Sequence, residues 1–99
     1  MTYERIIIDI NEHLGKSNKE LYSDYYIGIT DNINECLFGF HQVPQRGYWY
    51  IYMPADTNEI AREVATYFLD LGMQGRELEG DSKSVMVYCY EISPKTKQR

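Results

Sequence analysis

Tyr26-Ile27-Gly28-Ile29-Thr30-Asp31-Asn32 is the stretch from which the rest of the chain can be divided. From Asp24 to Thr30 the residues are aromatic and β-branched, which is the composition of a strand. Asp31 and Asn32 are residue types that cap helices, so a short helix is expected around Asn34 to Phe40. Pro44 to Gly47 then makes a turn, and Tyr48-Trp49-Tyr50-Ile51-Tyr52-Met53 reads as a second strand stopped by Pro54. With a period of two, Tyr48, Tyr50 and Tyr52 share one face of it, one that a partner could cover, while Trp49, Ile51 and Met53 share the other.

Further along, Ile60, Val64, Tyr67, Phe68 and Leu71 line one side of a helix. Asp56 with Glu59 three residues on resembles its capping arrangement, and Gly72 ends it. Met73 to Lys83 contains Gly75, Gly80 and several charges, so an exposed loop is expected. Val85 to Ile92 is a nearly unbroken apolar run, the pattern of a strand covered on both faces. Ahead of Tyr26, Tyr3, Ile6, Ile7, Ile10 and Leu14 recur at helical spacing, with Thr2 and Gly15 as start and stop. The β-branched Ile6-Ile7-Ile8 run also admits a strand there. Gly15 to Ser23 is polar and reads as a connection. The order α-β-α-β-α-β predicts an α+β fold: a small three-stranded, mainly antiparallel sheet flanked by three helices.

Ninety-nine residues suffice for one modest core and not for two, so residues 1–93 are expected to form a single domain and 94–99 a flexible basic tail. No apolar run is long enough to span a bilayer and no signal segment stands at the start, which predicts a soluble, cytoplasmic protein. Cys36 and Cys89 are the only cysteines, with no Cys-x-x-Cys pair and no closely spaced histidines to complete a zinc site. Two reduced thiols are expected, at least one in the core, with a disulfide as the alternative in an oxidising compartment. No Ser-His-Asp set, Walker loop or dinucleotide fingerprint occurs.

The formal net charge is −5, and removing the three cations Lys95, Lys97 and Arg99 leaves −8. Between Glu20 and Pro94 the only Lys or Arg residues are Arg46, Arg62, Arg76 and Lys83. Such a surface repels a phosphate backbone, so nucleic acid would bind only if cations cluster at one site. The ten tyrosines and Trp49 could stack on single-stranded bases, but such platforms lie in basic grooves.

The order of elements from Tyr26 to about Leu71 resembles the GIY-YIG nuclease superfamily. In that family a YIG strand leads into a helix, a strand, and a helix bearing a metal-binding glutamate. Tyr26-Ile27-Gly28, with Thr30 and Asn32 after it, matches the YIG half, and Glu63 matches the glutamate. The resemblance implies a phenol of Tyr26 near the attacked phosphate, backbone approach at Gly28, and Mg²⁺ or Mn²⁺ at Glu63 stabilising charge as the bond breaks. Glu63 lies at the border of the apolar stripe, from which its side chain could reach the sheet's edge. Cys36 stands where the family has an arginine, and a thiol cannot replace a guanidinium's bidentate hydrogen bonds to phosphate. Arg46 and Arg62 are the cations that could substitute, although Arg62 is expected to face water. His41 falls one residue late for the family's histidine.

No Gly-Ile-Tyr strand precedes Tyr26. Met86-Val87-Tyr88-Cys89-Tyr90 looks like that strand, so a permuted sheet would be completed by the C-terminal strand, with Tyr88 beside Tyr26. The plainer alternative is a core strand with tyrosines at its rim. Three functions follow as expectations. The first is a GIY-YIG-like domain that has lost nuclease chemistry and binds or regulates, for instance through a protein partner. The second is an active divalent-metal endonuclease, and the third an acidic nucleic-acid mimic using Glu77, Glu79 and Asp81.

Overall fold

The structure is a computed structural model and describes residues 2–15, 21–33, 50–75 and 85–92. Helix α1 spans Tyr3–Leu14; Thr2 caps it, its Oγ1 accepting from the Arg5 N–H at 3.3 Å. Helical spacing prevails over the β-branched run because Ile6 and Ile10 bury completely on one side, with Tyr3, Ile7 and Leu14 packed beside them. Part of the polar connection forms a 3-10 turn, Tyr22–Asp24, leading into strand β1, Tyr25–Thr30. Thr30 closes that strand: its Oγ1 accepts from the Asn32 N–H at 3.1 Å. The expected helix around Asn34–Phe40, the Pro44–Gly47 turn and residues 48–49 lie outside the described residues.

Strand β2, Tyr50–Pro54, runs one residue past the expected stop and includes the proline. Helix α2 spans Asn58–Asp70. Its cap is Thr57, whose Oγ1 accepts from the Ile60 N–H at 3.1 Å, and not Asp56 as the spacing to Glu59 suggested. Thr57→Ala should therefore cost about 1 kcal/mol of stability in urea denaturation, whereas Thr57→Ser, which keeps the hydroxyl, should stay close to the parent. An unchanged midpoint in the alanine variant would count against this capping geometry.

Strand β3, Met86–Glu91, lies between the other two in the order β1-β3-β2 and is antiparallel to both. The apolar Val85–Ile92 run is thus the central strand, as its pattern required. The expectation of an α+β fold with a three-stranded antiparallel sheet holds, and the described residues contain two α-helices. Alternation splits the sheet into two faces. Tyr25, Ile27, Ile29, Met53, Val87 and Cys89 point to the side where α1 and α2 pack, and join Ile6, Ile10, Ala61, Val64, Ala65 and Phe68 in the main core. The two alanines leave no bulk between α2 and the sheet. Cys89 is a free thiol in this core, its Sγ 3.9 Å from the Met73 sulfur, and burial raises its pKa far above the ordinary thiol range.

The exposed loop expected from Met73 begins differently. Met73 is buried, and Gln74 makes a parallel bridge to Tyr26, with the Ile27 N–H donating to the Gln74 carbonyl and the Gln74 N–H to the Tyr25 carbonyl, both at 2.9 Å. The chain approaches so closely here that a Cβ at Gly75 would run into the Ile27 carbonyl oxygen. The edge of β1 away from β3 is therefore covered. Residues 76–83 lie outside the described set. No helix among the described residues is long and apolar enough to cross a membrane.

Candidate functional site

On the second face of the sheet the register builds a grid of tyrosines. Tyr26, Tyr90 and Tyr50 align across the three strands, and Gly28, Tyr88 and Tyr52 form the next row. Their rings stack. Tyr26 and Tyr90 have centroids 5.4 Å apart at 19°, Tyr26 and Tyr88 6.3 Å at 18°, Tyr88 and Tyr90 6.4 Å at 1°, and Tyr50 and Tyr52 6.4 Å at 2°. Ile33 and Ile92 pack against this cluster. Such cross-strand and same-face aromatic pairs tie the three strands together.

Gly28 has a specific place in the grid. A Cβ built on it would sit 2.5 Å from Tyr88 Cζ and 2.8 Å from Cε2, because the Tyr88 ring lies flat over the glycine. The space left by the missing side chain is filled from the central strand. Tyr88 stands beside Tyr26, a placement that a plain central core strand gives as readily as a permuted one. Both phenols are buried, at 0% and 3% exposure, and so is Tyr90. No buried side-chain nitrogen or oxygen among the described residues lacks a hydrogen-bond partner. Toward β2 the grid opens, ending at Tyr52, which is 42% exposed.

The other sequence candidates sit elsewhere. Glu63 is exposed on α2, and Arg62, which is half-buried and not fully in water, donates from Nε to Asn58 Oδ1 at 3.0 Å. Both line an open cleft of about 590 Å³ together with Glu59, Tyr67, Asp70 and Tyr3 of α1. Since α2 packs on the main-core face, the sheet separates these groups from the tyrosine grid. Glu63 lies on the solvent-exposed side of α2, in the cleft it shares with Tyr3 of α1. Among the described residues no three His, Cys, Asp or Glu side chains cluster to hold a metal ion. Cys36, His41 and Arg46, like the acidic residues Glu77, Glu79 and Asp81, lie outside the described residues.

Two features of this geometry were missed in the sequence. Tyr90 belongs to the grid as fully as Tyr88, and the signal for it was the same period-two alternation that paired Tyr50 with Tyr52. The contact between Tyr3 and Tyr67, 6.3 Å between centroids, had no local signal, since it joins residues on two separate helices. Neither a protein-family model, nor a curated protein, nor a solved structure matches this chain.

Proposed function

We propose that this chain is a GIY-YIG-like domain in permuted strand order that has lost nuclease chemistry and acts as a binding module. The antiparallel pairing of β3 with β1, which sets Tyr88 across from Gly28, supports the family reading. The observation that carries the loss of chemistry is the separation of the candidate groups. Glu63 and Arg62 lie on the outer side of α2, the Tyr26 and Tyr88 phenols are enclosed on the opposite face of the sheet, and one strand-thick layer stands between them. Metal-assisted phosphodiester cleavage needs a metal-bound carboxylate and the nucleophile's partner on the same phosphate, and the placement of these four side chains on two sides of the sheet supports a non-catalytic role. The acidity of the chain, −5 overall, works against nucleic-acid binding in the same direction.

The test is incubation of the purified protein with supercoiled plasmid and Mn²⁺ beside a Glu63→Ala variant. Intact plasmid in both is the expected result. Cleavage by the parent that disappears in Glu63→Ala would overturn the proposal and restore the active endonuclease.

A further inference from the structure

The outer surface of the two helices carries two shallow, open depressions side by side, which together make a shallow groove. The cleft of about 590 Å³ on α2 meets a second of about 440 Å³ on α1, and Tyr3 and Tyr67 line both. Its lining includes exposed apolar side chains: Ile8 is 48% exposed and Leu71 is 41% exposed, with Ile7 beside Ile8 and Tyr67 shared by both depressions. Leu71 in one depression and Ile8 in the other, with Tyr3 and Tyr67 lining both, expose apolar surface that a partner's side chains could cover.

The rim is acidic. Glu4 borders the α1 end, and Glu59, Glu63 and Asp70 border the α2 side. Among the described residues that line it, one guanidinium stands against these four carboxylates, Arg62, whose Nε donates to Asn58 of its own helix. Arg5, the neighbouring cation, is likewise held by Asp9 at 3.2 Å. Glu59 and Glu63 are four apart on the helix, where like charges repel, and a cation set between them relieves that repulsion. A lysine or arginine also gains from the faces of Tyr3 and Tyr67.

We propose that this groove docks a cationic, amphipathic peptide segment of a partner protein, its apolar residues on Leu71 and Ile8 and its Lys or Arg side chains on Glu59, Glu63 and Asp70. The assignment rests on the binding-module reading and adds the surface and the chemistry of the partner. Charge complementarity selects the occupant: nucleic acid and anionic membrane are both repelled by this rim, whereas a basic segment is attracted at low salt.

The experiment is a fluorescence-anisotropy titration of the full chain with a labelled amphipathic lysine–leucine peptide, beside the same peptide with glutamate for lysine. Two variants with equal loss of charge are compared: Glu63→Gln/Asp70→Asn in the groove and Glu12→Gln/Asp31→Asn outside it. The lysine peptide should bind and the glutamate peptide should not. The groove pair should weaken binding by about tenfold and the outside pair by much less. Equal weakening by both pairs would mean unspecific attraction to an acidic protein, and no binding would remove the groove assignment; either overturns the proposal. Self-association abolished by the groove pair alone would seat a second copy there and overturn the assignment to a partner. The plasmid assay on the same preparation separates the two levels: cleavage overturns the binding-module reading whatever the peptide does, while failed peptide binding with intact plasmid overturns only the groove.

Discussion

Gly28→Ala should lower the stability of this domain, although glycine-to-alanine changes within a strand ordinarily raise it by a few tenths to about 1 kcal/mol. The sign is reversed by Tyr88. The added methyl would fall 2.5 Å from Tyr88 Cζ, and the ring has nowhere to move, since Tyr26 and Tyr90 stack on it at 6.3 and 6.4 Å and the residue is 0% exposed. Overpacking of this kind costs about 1–3 kcal/mol, which for a domain of this size lowers the melting temperature by on the order of 10 °C. A double-mutant cycle identifies the cause. Tyr88→Ala is destabilising by itself, but Gly28→Ala in that background should cost little or become favourable, a coupling of about 0.5–3 kcal/mol. Additive effects in thermal and urea denaturation would mean that the ring does not fill the space above Gly28.

Phe68→Ala should be more damaging, at about 3–5 kcal/mol. Phe68 is 0% exposed and lies where α2 meets the sheet, with Tyr67 at 5.1 Å and Tyr22 at 6.5 Å between ring centroids. Its carbonyl also accepts from the Met73 N–H at 3.1 Å, so it stands at the point where the chain turns back toward β1. Removing the ring leaves a cavity bounded by a helix on one side and hydrogen-bonded strands on the other, neither of which can collapse freely. Against a total stability of about 5–15 kcal/mol, the loss is a large fraction of the whole. The check is a urea titration in which the midpoint falls while the slope is kept. A loss below about 1 kcal/mol would remove Phe68 from the core.

Much of this architecture was legible because its signals are local or periodic. α1 was readable from Thr2 and the Ile6–Ile10 stripe, and β1 from a β-branched, aromatic run closed by Thr30. The central position of β3 was readable because a strand buried on both faces must be apolar throughout. Asp56 and Thr57 show where such reading stops. Both residue types cap helices, they are adjacent, and the choice turns on which one has the extended backbone that aims its oxygen at the Ile60 N–H. Met73 shows the same limit in another form. A single apolar residue in a polar, glycine-containing segment has no period, and its burial follows from the return of the chain along β1.

For the candidate site, the amino-acid order by itself determined that Tyr26 and Tyr88 would be strand residues able to face one another, and that Glu63 would sit on an amphipathic helix near Arg62. Only the tertiary structure decided that the tyrosines and the glutamate lie on opposite sides of the sheet. An apolar stripe states that a helix has one face to bury, and alternation states that a strand has two faces to offer. Neither states which face of the sheet that helix will cover, because this depends on the fit of Ala61, Val64, Ala65 and Phe68 against Ile27, Ile29, Val87 and Cys89, residues that meet only when the chain is folded.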